Sequence, residues 1–471
     1  MRSEPLVVAG GGPAGLTAAY HATKHGYKPL VLEGSRFVGG ISRTEEHQGY
    51  RFDIGGHRFY TKEQIVNDVW HEVMKNDFIK VSRLSRIFYD GKFFQYPLEP
   101  FDALRKLGIV ESTKIMLSYL KARAAPVRNP KNLEEWVTNR FGKRLFNTFF
   151  KTYTEKVWGI PCDEISADWA AQRIHGLSLK RAVIDSFKKK SDAKSLIRQF
   201  EYPRLGPGMM WERFSSEIEK AGGEVMMQSL VKTIRHRDKK VLSIETRDGE
   251  VIAPEQFISS IPLRTLVQQL DPPAPQEVLA AANSLEYRDF LVVALFVDED
   301  DIFPDNWIYI HCDDVKVGRV QNFKNWSIEM VPQPNVSCLG MEYFCQKGDN
   351  LWETSDDDLI ALATKEAAQI GLIDGDKVTG GKVIRQPKAY PVYDEDYQTN
   401  VAIIEDYLKG WENLQTIGRN GMHRYNNQDH SMLTGILAVE NLADGDHDVW
   451  KVNTERSYQE TFKAGEKVVT R

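Results

Sequence analysis

Pro5-Leu6-Val7-Val8-Ala9-Gly10-Gly11-Gly12-Pro13-Ala14-Gly15 stands near the start of the chain, and after Leu16 to His25 comes Pro29-Leu30-Val31-Leu32-Glu33. Leu6 to Ala9 predicts a short buried strand. Leu16 to His25 has the apolar and alanine content of a helix, and Gly26 suits its stop. Pro29 to Glu33 predicts a second buried strand with an acid at its C-terminal end. This is G-x-G-x-x-G in the βαβ setting that gives it meaning. Gly10 permits the tight turn, Gly12 lets a pyrophosphate approach the backbone, and Gly15 lets the helix lie close to the strand. Pro13 and Ala14 belong to the helix start, whose N–H groups and dipole favour phosphate. Glu33, eighteen residues past Gly15, is placed to accept hydrogen bonds from a ribose. The reading is a dinucleotide site in a Rossmann-like α/β fold. The alternative is a glycine-rich turn in some other α/β fold.

The chain has 471 residues, enough for a large core and more than one domain. Apolar residues are 42% and charged residues 27%, a globular balance. A net charge of −5 gives no whole-chain reason to expect nucleic acid as a partner. Cys162, Cys312, Cys338 and Cys345 have no metal spacing, so no metal is expected. Dispersed thiols fit a reducing compartment, and the chain enters a strand without a leader-like run. A cytoplasmic protein with no transmembrane segment is the expectation. The sequence is silent on oligomeric state.

Further along, Tyr50 to Thr61 contains Gly55-Gly56-His57, a turn where backbone can lie against a flat ring. Lys62 to Asn76 predicts a helix, and Ile87 to Phe94 a hairpin turning at Asp90-Gly91. Between about 100 and 200 helical patterns dominate, with Asn132 to Phe150 and Ala167 to Phe187 as candidate helices. Lys188-Lys189-Lys190 reads as a solvated end, and Lys188 to Gly208 as a mobile connection. Trp211 to Ala221 predicts a helix, followed by the strands Val225 to Met227, Leu230 to Arg235, Val241 to Thr246 and Phe257 to Ile261. Residues 285–345 are strand-rich. Ser355 is the N-cap of a helix running to Ile370, with Asp358 at its third position, so Asp356 to Asp358 mark a helix start.

Gly39-Gly40-Ile41-Ser42-Arg43-Thr44 resembles the second glycine motif of the FAD-binding amine oxidase and protoporphyrinogen oxidase superfamily. The resemblance implies FAD, with Arg43 neutralising pyrophosphate charge. It also implies a GR2-type FAD domain assembled from 1–90, 205–265 and 385–471, a helical insertion at 91–204, and a strand-rich substrate domain at 266–384.

A narrower likeness comes from Gly418-Arg419-Asn420-Gly421-Met422-His423-Arg424-Tyr425-Asn426-Asn427-Gln428-Asp429-His430-Ser431. This stretch resembles the C-terminal flavin motif of eukaryotic UDP-galactopyranose mutases. Tyr153 to Gly159 is similar to a substrate-domain segment of that family. Tyr309 with Arg319, and Tyr390-Pro391, follow in the family's order. His423 stands where a bulky aromatic is the family's pattern, and His430 reads as a structural partner of a helix start.

The mutase likeness implies site roles. Arg173, fifteen residues past Trp158, and Arg319 would grip a nucleotide-sugar diphosphate, since guanidinium is planar, charged and bidentate. Trp158, Tyr309 and Tyr390 would also face the substrate. His57, Arg419 and Tyr425 would act at the flavin and the sugar. The flavin itself would touch Gly39, Gly40, Ser42, Gly55, Gly56, Val231, Gly418, Asn427, Gln428 and Ser431. The implied activity is pyranose–furanose isomerisation of a nucleotide sugar, in which reduced flavin attacks the anomeric carbon through N5. NAD(P)H is the candidate electron donor, and cell-surface polysaccharide biosynthesis the implied setting. Two rivals stay open: a redox flavoenzyme acting on a sugar, lipid or amine, and a flavin-binding protein without turnover.

Overall fold

In the computed structural model, which describes residues 1–167 and 199–454, the opening stretch forms the strand Arg2–Ala9, the helix Pro13–Lys24 and the strand Leu30–Leu32. The first strand begins earlier than Leu6 because Arg2 to Glu4 already pair with Ile252 to Pro254. Five strands run parallel, in the order Glu224–Met226, Leu30–Leu32, Arg2–Ala9, Val251–Ser259 and Leu414–Thr416. Ile258 lies opposite both Val8 and Gln415, so three distant segments meet in one register. Val231–Arg237 and Lys240–Thr246 extend the sheet as an antiparallel hairpin. Helices cover both faces. Val8 packs with Trp70, Trp211, Phe214 and Ile436, while Val7 packs with Ile234, Phe257 and Leu266. Burial on both sides explains the unbroken apolar runs of these strands.

A second sheet of seven strands runs Val378–Pro391, Tyr287–Val297, Ser337–Cys345, Arg319–Asn322, Trp307–Ile310, Ser85–Tyr89 and Lys92–Gln95. Neighbours are antiparallel except Trp307–Ile310 against Ser85–Tyr89. The predicted hairpin therefore pairs here, and the sheet reaches Pro391. It runs across the junctions expected at 90 and at 385. Together the parts make a Rossmann-like α/β fold with a helical insertion and a strand-rich second sheet.

Two elements differ from their sequence reading. Asn132 to Phe150 is no single helix: Leu133–Phe141 and Lys143–Phe146 are separated at Gly142, and a π-helical turn, Asn147–Lys151, leads into Thr152–Trp158. Gly142 has φ +83°, and a Cβ there would lie 2.7 Å from the Tyr119 backbone nitrogen. Close approach of the helix Ile109–Ala124 thus sets the break. The connection expected to be mobile is anchored over its described part. Gln199–Pro203 pairs antiparallel with Phe78–Ser82, Phe200 and Tyr202 are buried, and Gly208 N–H donates to Thr44 Oγ1 at 3.0 Å. Most of the helix expected over Ala167 to Phe187, and Lys188 to Lys190, lie outside the described residues. Ser355 Oγ accepts from Asp358 N–H at 3.2 Å and caps the helix Asp356–Gln369. Among the described residues no helix is long and apolar enough to cross a membrane.

Candidate active site

A cavity of about 1740 Å³ lies between the two sheets. Its floor is glycine backbone. Gly10 turns at φ +103° between the first strand and the first helix. Gly12 and Gly40 face each other so closely that a Cβ on Gly40 would lie 3.3 Å from the Gly12 Cα. Pro13 and Ala14 carry the helix N-terminus to the cavity, and Ser42 lines it nearby. Glu33 is aimed by two backbone donors, Gly11 N–H and Ser35 N–H, each at 2.7 Å. Val231 lines the same end. Gly15 lies behind the lining, where a Cβ would come 1.8 Å from the Gly10 carbonyl oxygen, the close packing its place in the motif implies. Gly39 also lies behind it and donates to Gly11 O at 2.7 Å. Arg43 does not line the cavity. Its Nε donates to Glu45 at 2.6 Å, and its Nη1 to Gly40 O and Gln386, so local carboxylate and carbonyl groups already meet its charge.

A second helix, Gln428–Ala443, also points its N-terminus at the cavity. Asn427, its N-cap, lines the wall with Gln428 and Ser431. Gln428 Nε2 donates to Arg58 O at 3.2 Å, while its buried Oε1 has no partner among the described residues. Gly418, at φ +85°, approaches Ala14 and ties the two helix starts together. His423, where the bulky aromatic was expected, is buried and donates through Nε2 to Val392 O at 3.2 Å.

His57 follows Gly55 and Gly56 on the wall, and its Nδ1–H donates to Gly55 O at 3.1 Å. Burial, with the guanidiniums of Arg419 and Arg319, pushes its pKa down to about 3. The ring is therefore neutral, and its Nε2 is the acceptor.

Arg319 and Tyr309 sit opposite each other on adjacent strands, so both enter the cavity at one level. Arg319 Nε donates to the fully buried Glu342 at 2.5 Å, and Gln321 Nε2 donates to the other Glu342 oxygen at 2.8 Å. Burial opposes the Arg319 charge most strongly, but Glu342 together with Tyr153, Tyr390 and Tyr309 outweighs it and keeps the guanidinium protonated. Its Nη groups make no hydrogen bond within the described residues, and one lies 3.5 Å from where a Gly55 Cβ would sit. Arg419 donates from Nε to Asn426 O and from Nη1 to Ala389 O. Its guanidinium lies 4.5 Å from the Tyr425 ring centre and 5.4 Å from that of Tyr390. Those two tyrosines stack at 5.6 Å, and Trp158 stands 6.4 Å from Tyr390. The structure thus brings all the expected substrate-facing residues together except Arg173, which lies outside the described residues.

Residue-by-residue reading missed several members. Tyr153 lies 5.3 Å from Tyr309 and stacks on His311 at 4.9 Å, yet it lay inside a stretch singled out for other reasons. Tyr393 stacks with Trp158 at 6.2 Å and accepts from Tyr425 N–H at 2.6 Å. An extended chain would put it on the face away from Tyr390, and it reaches the site because the strand ends at Pro391. Glu342 had a signal, as the lone acid in Ser337–Cys345, a strand buried along its whole length.

These residues fit FAD on the structure's own terms. Two glycine turns leave a backbone cradle that side chains would fill, two helix N-termini converge on it, and Glu33 is held by backbone donors at one end.

Comparison with known proteins agrees. Residues 13–376 match the family described as flavin containing amine oxidoreductase. A 1-hydroxycarotenoid 3,4-desaturase of Flavobacterium sp. (strain P99-3) is 26% identical over 268 residues, 52% of this chain and 54% of that protein. This chain therefore spans about half the length of that curated relative. Among solved structures, reduced UDP-galactopyranose mutase superposes with a TM-score of 0.83 at 22% identity, with 94% of each chain covered. A protein described as a protoporphyrinogen oxidase of Exiguobacterium sp. 255-15 superposes at 0.72 and 17% identity, over 94% of this chain and 100% of the other. At such identities the likeness is one of fold.

Proposed function

This chain belongs to the flavin-containing amine oxidoreductase family, and from that premise we propose that it isomerises a nucleotide sugar without net oxidation. The observation that carries the reading is the pair of guanidiniums, Arg319 and Arg419, facing one aromatic cavity beside a neutral His57. Reduced FAD, held by the glycine turns and the two helix N-termini, would supply an electron-rich nucleophile to the anomeric carbon. Arg319, aimed by Glu342, binds the diphosphate through its Nη groups and keeps it in place while it is detached. Tyr309, Tyr390 and Tyr425 donate hydroxyl hydrogen bonds without adding charge. Trp158 and Tyr393 shield the sugar from water. His57 offers Nε2 as an acceptor, and its low pKa keeps it from acting as an acid near neutral pH.

A net redox reaction is the second reading. It is favoured by the desaturase relative and by the apolar residues Ile54, Ile87, Phe149 and Val157 along the same cavity. Nothing among the described residues supports a dedicated NAD(P)H site, so dithionite is the reductant of choice for the test. Anaerobic, pre-reduced holoenzyme is expected to turn over a nucleotide hexose many times, giving a product of unchanged mass, while oxidised enzyme is inactive. A product lighter by H₂ from oxidised enzyme, with no isomer from reduced enzyme, would replace this reading with the redox one.

A further inference from the structure

The helix Ile109–Ala124 turns an apolar face outward. Ile109 is 88% exposed, Leu117 62% and Leu120 55%, and Val110, Met116 and Val127 are exposed with them. At helical spacing Ile109, Met116, Leu117 and Leu120 form one stripe. The opposite face holds Ile115, which is buried. Charge is arranged around the stripe. Lys114 and Lys121 border one side and Arg123 the other, and Arg128 follows beyond the helix end. All four are exposed. Lys121, Arg123 and Arg128 make no ion pair among the described residues, and Lys114 is 3.9 Å from Glu111. From Ala103 to Lys131 inclusive, Glu111 is the only acid against seven lysines and arginines, and Arg144 binds its carboxylate. A net charge of −5 for the whole chain makes this basic, apolar patch a local exception.

Apolar residues this exposed, in one stripe, mark an interaction surface. A second copy would gain little from cations on both flanks, because it brings another basic edge to the same face. An outward apolar stripe between basic borders matches a helix lying in the plane of a membrane, with its cations at the phosphate level. We propose that Ile109–Ala124 docks the folded protein on an anionic lipid surface, inserting Met116, Leu117 and Leu120 among the acyl chains. Attachment through this one amphipathic helix is peripheral and reversible.

Flotation of the flavin-loaded full chain with phosphatidylcholine vesicles, with and without phosphatidylglycerol, tests this. Wild type should float with the phosphatidylglycerol vesicles and be released by salt. Leu117→Gln with Leu120→Gln should lower its partitioning about tenfold or more. Lys114→Glu with Lys121→Glu should abolish the preference for phosphatidylglycerol, with flavin content and melting temperature unchanged in both variants. Failure of wild type to float, or equal flotation of all three proteins, would overturn the proposal. So would a wild-type dimer that the leucine variant makes monomeric, which assigns the stripe to a second copy. A large loss of melting temperature in both variants would assign it to another segment of this chain.

Discussion

Asp53 is fully buried, with Tyr202 Oη donating to one carboxylate oxygen at 2.5 Å and Thr44 Oγ1 to the other at 2.8 Å. Burial pushes its pKa up to about 7, against those two bonds, which lower it. In the unfolded chain the group titrates near ~3.9. Between these values the folded state holds the extra proton, so the Asp53 contribution to stability falls as pH rises toward 7 and is fully lost above it. The melting temperature of Asp53→Asn should therefore gain on that of wild type between about pH 4 and about pH 7. A difference between the two that does not change with pH would show that Asp53 ionises freely in the fold. The same residue joins Thr44, beside the second glycine motif, to Tyr202, whose ring lies 5.2 Å from Trp326 on the cavity wall.

Between elements, the contact of Pro13–Lys24 with Gln428–Ala443 sets where both helix N-termini meet the cavity. Gly435 makes it possible: a Cβ there would come 2.5 Å from Ala14 O and 3.0 Å from Ala18 N, and both atoms are backbone. Gly435→Ala should destabilise the fold by about 1–3 kcal/mol through overpacking. It should also lower the flavin-to-protein absorbance ratio, since separating the helices moves both N-termini. Denaturant melts and the absorbance ratio together check this, and a variant with unchanged stability and full flavin would show that the helices can part without cost. Gly142 is the converse case, a glycine that ends the helix Leu133–Phe141 where the backbone of Ile109–Ala124 passes close by.

At the scale of the molecule, the cavity borrows one wall from each sheet, so a ligand that fills it stabilises both. Nucleoside diphosphate at ~100 times its Kd should add about 2.7 kcal/mol to the stability of the holoenzyme. Arg319→Ala should weaken that ligand by about 2–5 kcal/mol and remove the gain, while flavin content stays the same. Arg319→Lys should recover part of it, because ammonium lacks the fork of donors. Equal thermal shifts in wild type and both variants would take the diphosphate away from Arg319.

The βαβ opening, the glycine turns, the Glu33 terminus and the capped helix at Ser355 were legible in the sequence. Each depends on residues within a few positions of one another, and turn, cap and periodicity chemistry is local. The stretch Pro203 to Gly208 shows the boundary of that reading. Its prolines and glycines announce irregular backbone, but they carry no sign that Thr44 and Phe78–Ser82 would fasten it. Tertiary structure alone decided that Ser85–Gln95 joins the second sheet. It alone paired Arg319 with Glu342, and it brought Trp158, Tyr390, Arg419 and Tyr425 around one space. Those outcomes rest on which strand edge pairs with which, in what register, across tens to hundreds of residues. No local preference encodes that choice, because the same strand propensity satisfies many partners, and only simultaneous burial of both sheets selects one.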